Sequence, residues 1–267
     1  MPMVHGDHET RPGADRFAGS SFLAQADAFR RGTDLDDSRA TLSGHNEVAV
    51  AQLATGRAAE AVAGLEPLLA DCRAVLGPHH PDTLVVEGNT AAAYVVAGRV
   101  QAGVELMAAN LQSRERHFGD EHPRTLTARD ATATAYRIAG RLPDALRLAV
   151  RVSAQRTAVL GPTHPDTLVS RLGLALTHAD SGDLRSAEQV AHPALRDAVD
   201  AHGPHHAVTT ALRACVGSLH AAVGRVDEAR EALRDAAADT ERQLGRSHPD
   251  AVAIREELLS LAPTPAR

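Results

Sequence analysis

The sequence predicts an all-α fold, a right-handed superhelical solenoid of antiparallel helix pairs, from three observations. A segment from Leu76 to Leu84 returns as residues 118–126, 160–168, 202–210 and 244–252, each time after 42 residues. A second marker, the glycine at positions 56, 98, 140, 182 and 224, keeps the same step. Aromatic residues are 2% of the chain, and Ala, Leu and Val supply most of its apolar content. Two landmarks in register indicate a repeat architecture, and small apolar residues favour close packing of helix on helix.

The predicted elements follow the chain in order. Residues 1–19 are rich in Gly, Pro, Asp and His without periodicity, which predicts a disordered tail. Residues 20–38 are predicted to hold an N-terminal helix and a loop, because apolar residues recur at helical spacing from Phe22 to Phe29. Five 42-residue helix-pair repeats are predicted over 39–248, a capping helix over 249–261 and a second tail over 262–267.

Each repeat carries its own start and stop signals for two helices, A and B. The His-Pro-Asp step of the loop segment places Pro at the first position of helix A and an acid near the positive end of the helix dipole. The central glycine then ends helix A, since Gly takes a positive φ without strain. A small residue five positions later, such as Ala61 or Ala145, permits close approach of helix B. The A helices are expected to line one concave wall.

The composition argues against several classes of function. All 28 basic residues are Arg, which excludes Schiff-base chemistry, P-loop nucleotide binding and lysine acid–base catalysis. The net charge of −6 and the lack of aromatic platforms argue against nucleic acid as a partner. The first residues lack the features of a signal peptide, and no stretch approaches the roughly 20 apolar residues that span a bilayer. We therefore expect a cytoplasmic protein that does not contact a membrane.

The repeat pattern resembles the tetratricopeptide repeat, in the 42-residue form found in kinesin light chains and in bacterial regulatory proteins. The resemblance covers residues 39–261 and rests on the recurring loop and on helix positions in repeats two and three. These positions are Ala91, Tyr94, Gly98 and Arg99, then Ala133, Tyr136, Gly140, Arg141 and Ala145. The resemblance implies that ligands, usually extended peptides of partner proteins, lie in the concave groove lined by the A helices.

Family members often carry an Asn-Asn pair in the middle of helix A, and this pair is mostly missing here. Asn46 and Asn89 each keep half of it, and repeats three to five keep none. Counting along each A helix in steps of four predicts a groove wall that is mainly small and apolar, with a few acids. The predicted groove residues are Asn46, Asn89, Asp130, Thr134, Arg137, Leu172, Leu176, Asp180 and Ser218. Asp130 and Asp180 are expected to orient the ligand, and Arg137 to reach in from the rim.

Two functions of different classes fit this groove. The preferred interpretation is a non-enzymatic scaffold or adaptor that binds a partner protein or peptide. The alternative is a protein whose apolar groove binds a small apolar ligand, as an auxiliary or cyclase-like enzyme of a biosynthetic pathway. No cofactor, metal site or catalytic residue is predicted, since no converging acid, base and nucleophile can be placed. Self-association is a third possibility, and the sequence leaves the oligomeric state open.

The histidines and cysteines allow a functional and a plain interpretation. His80, His122, His164, His206 and His248 form one column, and neighbouring repeats are too far apart for such residues to share an ion, so they are interpreted as helix-start residues. His202, His205 and His206 could chelate weakly or be incidental loop residues.

His178 and His220 replace the tyrosines of repeats two and three. One interpretation is a nucleophile pair of Cys215 with His178, and the other is ordinary helix packing. Cys72 and Cys215 lie in distant repeats, which argues against a disulfide.

Three arginines form a column of their own, one residue before the groove position. They are Arg129, Arg171 and Arg213. One interpretation is an anion-binding ladder that would recognise a phosphorylated partner. The other is that each Arg covers the edge of its A helix and pairs with an acid on the neighbouring repeat.

Overall fold

The computed structural model describes residues 37–261, with side chains from residue 46 onward. Within that range the chain forms eleven α-helices and no strand. The helices are α1 (Asp37–Ala54), α2 (Ala58–Val75), α3 (Pro81–Val96), α4 (Val100–Phe118), α5 (Pro123–Ile138), α6 (Leu142–Leu160), α7 (Pro165–Asp180), α8 (Leu184–His202), α9 (Ala207–Ala222), α10 (Val226–Leu244) and α11 (Pro249–Ser260). The predicted tails 1–19 and 262–267, and the predicted segment 20–38 apart from its last two residues, lie outside the described residues.

Odd-numbered helices α1 to α9 are the A helices of the five repeats, and even-numbered helices α2 to α10 are the B helices. Each helix packs on the next along the chain, and successive A helices also contact one another. These contacts place the A helices on the inner side of the solenoid and the B helices on the outer side. The all-α solenoid that the sequence predicts is confirmed.

The repeated histidine starts helix A by capping it. In α3, α5, α7, α9 and α11 the residue before the helix is His80, His122, His164, His206 or His248, and its side chain accepts a hydrogen bond from the backbone N–H two residues later. The acceptor is Nδ1, for example 3.1 Å from the N–H of Asp166 at His164. A ring nitrogen that accepts must be unprotonated, so these caps require neutral imidazole. The interpretation of this column as helix-start residues is confirmed.

The turn between helix A and helix B depends on glycine. At Gly98 φ is +82°, and the N–H of Arg99 bonds the carbonyl of Tyr94 at 2.8 Å, which is a Schellman closure of α3. Close packing follows immediately after the turn. Ala61, Ala145, Ala187 and Ala229 are fully buried near the start of each B helix, and Gly103 takes their place in the second repeat.

The two ends of the described solenoid touch each other. His248, the cap of α11, lies with its Nε2 2.9 Å from the carbonyl oxygen of Ala54, the last residue of α1. A Cβ added at Gly56 would lie 3.5 Å from Pro249 Cγ. The solenoid therefore returns to its own first repeat, and the inner faces of the A helices surround a common axis.

Cys72 and Cys215 are both buried, and each carries a free thiol in this structure. None of the helices between residues 37 and 261 has the length and apolarity needed to cross a lipid bilayer.

Candidate functional site

The nine predicted groove residues all lie on A helices, and most of them are covered. Seven are buried, with between 1% and 9% of their surface exposed: Asn46, Asn89, Asp130, Thr134, Arg137, Leu172 and Leu176. Asp180 and Ser218 are half-buried. We call these nine residues the inner face. In the closed solenoid their side chains are packed against the protein itself.

Polar side chains of the inner face join the A helices of consecutive repeats. Asn89 Nδ2 on α3 donates to Asn46 Oδ1 on α1 at 2.7 Å. Arg137 Nη1 on α5 donates to Asp180 Oδ2 on α7 at 2.8 Å. Ser218 Oγ on α9 donates to Glu257 Oε2 on α11 at 2.9 Å. A polar pair therefore crosses three of the junctions between repeats.

The amide of Asn89 has one unused group. Its Oδ1 is buried and has no hydrogen-bond partner among the described residues. A buried acceptor without a donor costs about 1 to 3 kcal/mol relative to a satisfied one. Asn89 therefore offers a buried acceptor to any donor that enters the inner face.

Asp130 forms a buried ion pair with Arg156. Arg156 on α6 places Nη1 3.0 Å from Asp130 Oδ2, and both side chains are at most 5% exposed. The same guanidinium donates to Ser170 Oγ at 2.8 Å and to the carbonyl of Asp166 at 3.0 Å, which ties the third repeat to the fourth. The structure thus gives Asp130 a structural partner, and its predicted role in orienting a ligand stays a prediction.

Leu172 and Leu176 belong to the largest apolar cluster, which spans the fourth and fifth repeats and includes Leu168, Leu212 and Leu219. Both lie on α7 and pack into the core between repeats. A ligand would reach them only if neighbouring A helices moved apart.

The arginine column is a set of ion pairs between neighbouring helices. Arg129 bonds Glu115 at 2.7 Å and Asp120 at 2.5 Å, and its side chain is fully buried. Arg171 pairs with Asp197 at 2.5 Å, and Arg213 pairs with Asp239 at 3.0 Å. Each arginine already has a carboxylate partner, which argues against a free anion-binding ladder. The predicted pairing with the neighbouring repeat holds for Arg129, because Glu115 lies on α4, whereas Arg171 and Arg213 pair with acids on the B helix of their own repeat.

Comparison with known families and structures agrees with this architecture. Sequence models of the tetratricopeptide repeat match residues 133–196, and also 46–82, 88–124 and 209–250. The chain belongs to the tetratricopeptide-repeat family. A comparison with curated proteins finds no significant match.

Solved structures show the same tetratricopeptide-repeat fold. The crystal structure of a variant of a Podosopora anserina protein, described as a kinesin light chain of nearly identical TPR-like repeats, is 25% identical with a TM-score of 0.63, covering 78% of this chain and 99% of that one. A thermophilic TPR protein of Thermus thermophilus is 18% identical with a TM-score of 0.56, covering 82% of this chain and 98% of that one. A Rap protein in complex with competence and sporulation factor is 12% identical with a TM-score of 0.58, covering 94% of this chain and 74% of that one. The resemblance to the kinesin-light-chain form of the repeat is confirmed.

The tetratricopeptide-repeat helices do not assemble a Cys/His nucleophile. Cys215 is 1% exposed, and burial raises the pKa of its thiol to about 12, so the thiol stays protonated at neutral pH. His178 lies beside Asp183, with Nδ1 3.7 Å from its carboxylate. His220 lies beside His192 instead, with ring centroids 5.2 Å apart.

The three histidines at the junction of α8 and α9 have three different hydrogen-bond partners. His202 Nε2 lies 2.7 Å from the carbonyl of Thr163, His205 Nδ1 lies 3.1 Å from Asp239, and His206 caps α9. Their ring nitrogens are used by three different partners, which supports the interpretation of incidental loop residues over a chelate.

The structure brings together one set of residues that the sequence did not predict as a site. Glu188 and His192 on α8 meet His220 on α9, with one ligand atom of each residue within 4.8 Å of the others. The signal available in the sequence was the four-residue spacing of Glu188 and His192 on one helix face. The third member comes from the next helix and could be assigned only from the packing of α8 on α9.

Proposed function

We propose that this protein is a non-enzymatic helical-repeat scaffold that binds an extended segment of a partner protein along its inner face. The single observation that carries this proposal is the buried, unused Oδ1 of Asn89. An extended peptide presents backbone N–H groups at regular intervals, and each can donate to a side-chain amide oxygen. The family to which the chain belongs makes a protein partner the natural ligand class.

The polar pairs between A helices support the same proposal. The pair Asn46 and Asn89 and the pair Arg137 and Asp180 each join the A helices of consecutive repeats, and the two pairs are two repeats apart. These side chains combine amide, guanidinium and carboxylate groups, which match the donors and acceptors of a peptide backbone. A segment that lies along the axis would exchange hydrogen bonds with them, so little free energy is lost when the pairs open.

Because the inner face is covered in the closed solenoid, binding requires the solenoid to open. The contact between His248 and Ala54 is the natural place, since one side-chain hydrogen bond joins the two ends. Opening there separates α1 from α11 and frees neighbouring A helices to move apart, which access to buried side chains such as Asn89 requires. We therefore propose that the partner enters after this contact separates. The Rap protein structure, which contains a bound factor, is an analogue of this fold and supports the proposal only by analogy.

The test uses a phage-displayed library of random linear peptides selected against the wild-type protein. The affinity of an enriched peptide is then measured by fluorescence anisotropy for wild type, Asn89→Ala and Gln101→Ala. Gln101 is exposed on α4, so Gln101→Ala is a matched loss of one side-chain amide away from the inner face. We expect about tenfold weaker binding with Asn89→Ala, equal to one lost hydrogen bond, and unchanged binding with Gln101→Ala.

Circular dichroism confirms that both variants keep the helical content of wild type before affinities are compared. Equal affinity of Asn89→Ala and wild type would contradict the proposed site. Failure of the library to yield any binder, together with retention of an apolar small molecule by the purified protein, would favour the small-ligand alternative.

A further inference from the structure

We infer that Glu188, His192 and His220 form a binding site for one transition-metal ion, of the zinc class, between α8 and α9. One ligand atom of each of the three residues lies within 4.8 Å of the others. Two imidazoles and one carboxylate are a donor set that zinc uses in proteins when its fourth position is left to water or another ligand. This inference is independent of the proposed function, because none of the three residues belongs to the inner face.

The backbone arrangement explains why the three side chains meet. Glu188 and His192 are four residues apart on α8, so they lie on one face of that helix, one turn apart. His220 lies on α9, which packs against α8, and its ring centroid is 5.2 Å from that of His192. All three residues are half-buried, which shields the site while leaving a path for an ion.

A ring nitrogen of His220 is available to a metal ion. His220 Nδ1 is buried and has no hydrogen-bond partner within the described chain. Metal ions bind neutral imidazole through a free lone pair, and a bound ion would satisfy the unused nitrogen.

The internal repeats show what this position holds when it is not a metal site. Three repeats earlier, Glu66 and Tyr94 stand at the positions of His192 and His220, and the Tyr94 hydroxyl donates to Glu66 at 2.8 Å. Arg99 stacks on the Tyr94 ring and also bonds Glu66, at 2.6 Å. In the later repeat both members of this polar pair are histidines, so the hydrogen bond is replaced by two facing imidazoles.

Glu188 is a third change in the same place. Its position in repeats one to three is held by Val62, Val104 and Leu146, of which the two valines are buried. An acid at a position that is apolar in repeats one to three adds the one donor that a pair of histidines lacks for a three-ligand site. Between α8 and α9 all three positions therefore hold residues that can bind a metal ion.

Arg225 is a cation beside the proposed site, and it already pairs with one of the three ligands. Its guanidinium contacts the Glu188 carboxylate. A carboxylate has two oxygens, so one can bind the ion while the other keeps the arginine, which would then orient the ligand from outside. Ligand atoms about 2 Å from a tetrahedral zinc lie roughly 3.3 Å apart, so the three ligand atoms, which lie within 4.8 Å of one another, need only a small rearrangement to hold the ion.

The test is a titration of the full, untagged protein with Zn²⁺ by isothermal calorimetry at pH 7.5, and with Co²⁺ by visible absorption. Three variants are compared with wild type: His220→Tyr, Glu188→Gln and His178→Tyr. His220→Tyr restores the residue that repeats two and three carry at this position, so it suits the helix packing. His178→Tyr makes the same exchange one repeat earlier, where no second histidine faces the ring, and is the matched control.

We expect wild type and His178→Tyr to bind one ion each, with the Co²⁺ complex showing the visible bands of a low-coordinate nitrogen and oxygen site. His220→Tyr and Glu188→Gln should each weaken Zn²⁺ binding at least about tenfold while their circular dichroism stays that of wild type. Wild-type affinity in His220→Tyr would place the ion elsewhere among the 15 histidines and overturn the inference. Absence of binding by wild type at millimolar Zn²⁺ would overturn it as well.

Discussion

His248 and Ala54 join the two ends of the described solenoid through one imidazole ring. The ring Nδ1 accepts the N–H of Asp250 at 3.2 Å and so caps α11, which leaves the proton on Nε2. Nε2 then donates to the carbonyl of Ala54 at 2.9 Å, at the end of α1. A single tautomer of neutral histidine therefore caps one helix and closes the solenoid.

His248→Ala should open this closure. The variant loses the cap and the contact between ends, and we expect a cost of about 1 to 2 kcal/mol together with a larger radius of gyration in small-angle scattering. His164→Ala is the control, because His164 caps α7 in the same way but lies in the middle of the array. It should lose similar stability with no change in radius. An unchanged radius in His248→Ala would mean that the end contact does not hold the solenoid closed.

Acid should destabilise the fold through its histidine caps. Burial lowers the pKa of His122 and of His206, so the folded state favours the neutral rings that cap α5 and α9. A pKa lowered in the folded state contributes stability that is fully present above the unfolded value of about 6.5 and is lost as pH falls through the folded value. Urea unfolding at pH 7.5 and pH 5.5 measures this loss. His206→Asn, whose cap does not titrate, should show a smaller loss than wild type, and an equal loss would contradict the argument.

Removing one member of the buried pair of Asp130 and Arg156 should lower the free energy of unfolding strongly, whereas replacing both members should lower it much less. Asp130→Leu leaves the Arg156 guanidinium buried beside an apolar group, and we expect a loss of about 3 to 5 kcal/mol in the free energy of unfolding. The fourth repeat holds Leu172 and Ala198 at the same two positions, so the double variant Asp130→Leu/Arg156→Ala copies a natural solution. We expect the double variant to regain most of the loss in urea unfolding. A double variant as unstable as Asp130→Leu would mean that Arg156 contributes mainly through Ser170 and Asp166.

The sequence predicted the helices because their signals are local. A cap such as His164 and a turn glycine such as Gly98 act within a few residues, and the 42-residue period repeats them in register. The same period predicted groove positions for Asn46 and Asn89, which are buried in the structure. Their burial could not be predicted, because it depends on the small rotation between repeats, summed until α11 meets α1. The meeting of Glu188, His192 and His220 likewise depends on how α8 packs on α9, which no single spacing fixes.

Gly103 and Gly173 should respond in opposite directions to the same substitution. At Gly103 on α4 an added Cβ would lie 2.5 Å from Val95 Cγ2 and 2.8 Å from the carbonyl oxygen of Ala91, which is backbone and cannot rotate away. We therefore expect Gly103→Ala to cost about 1 to 3 kcal/mol, although alanine is the better helix former. At Gly173 on α7 an added Cβ meets nothing within 4 Å, so Gly173→Ala should gain up to about 1 kcal/mol.

Thermal and urea unfolding of the two glycine variants measure these changes. The other repeats indicate a substitution that should compensate for Gly103→Ala. The position of Val95 is held by Ala179 in the fourth repeat and by Ala221 in the fifth. The Val95→Ala/Gly103→Ala variant removes the closest contact and should recover part of the loss, and the backbone contact with Ala91 should keep the recovery incomplete. If Gly103→Ala were as stable as wild type, helices α3 and α4 would have room to separate, and the close approach would not limit the second repeat.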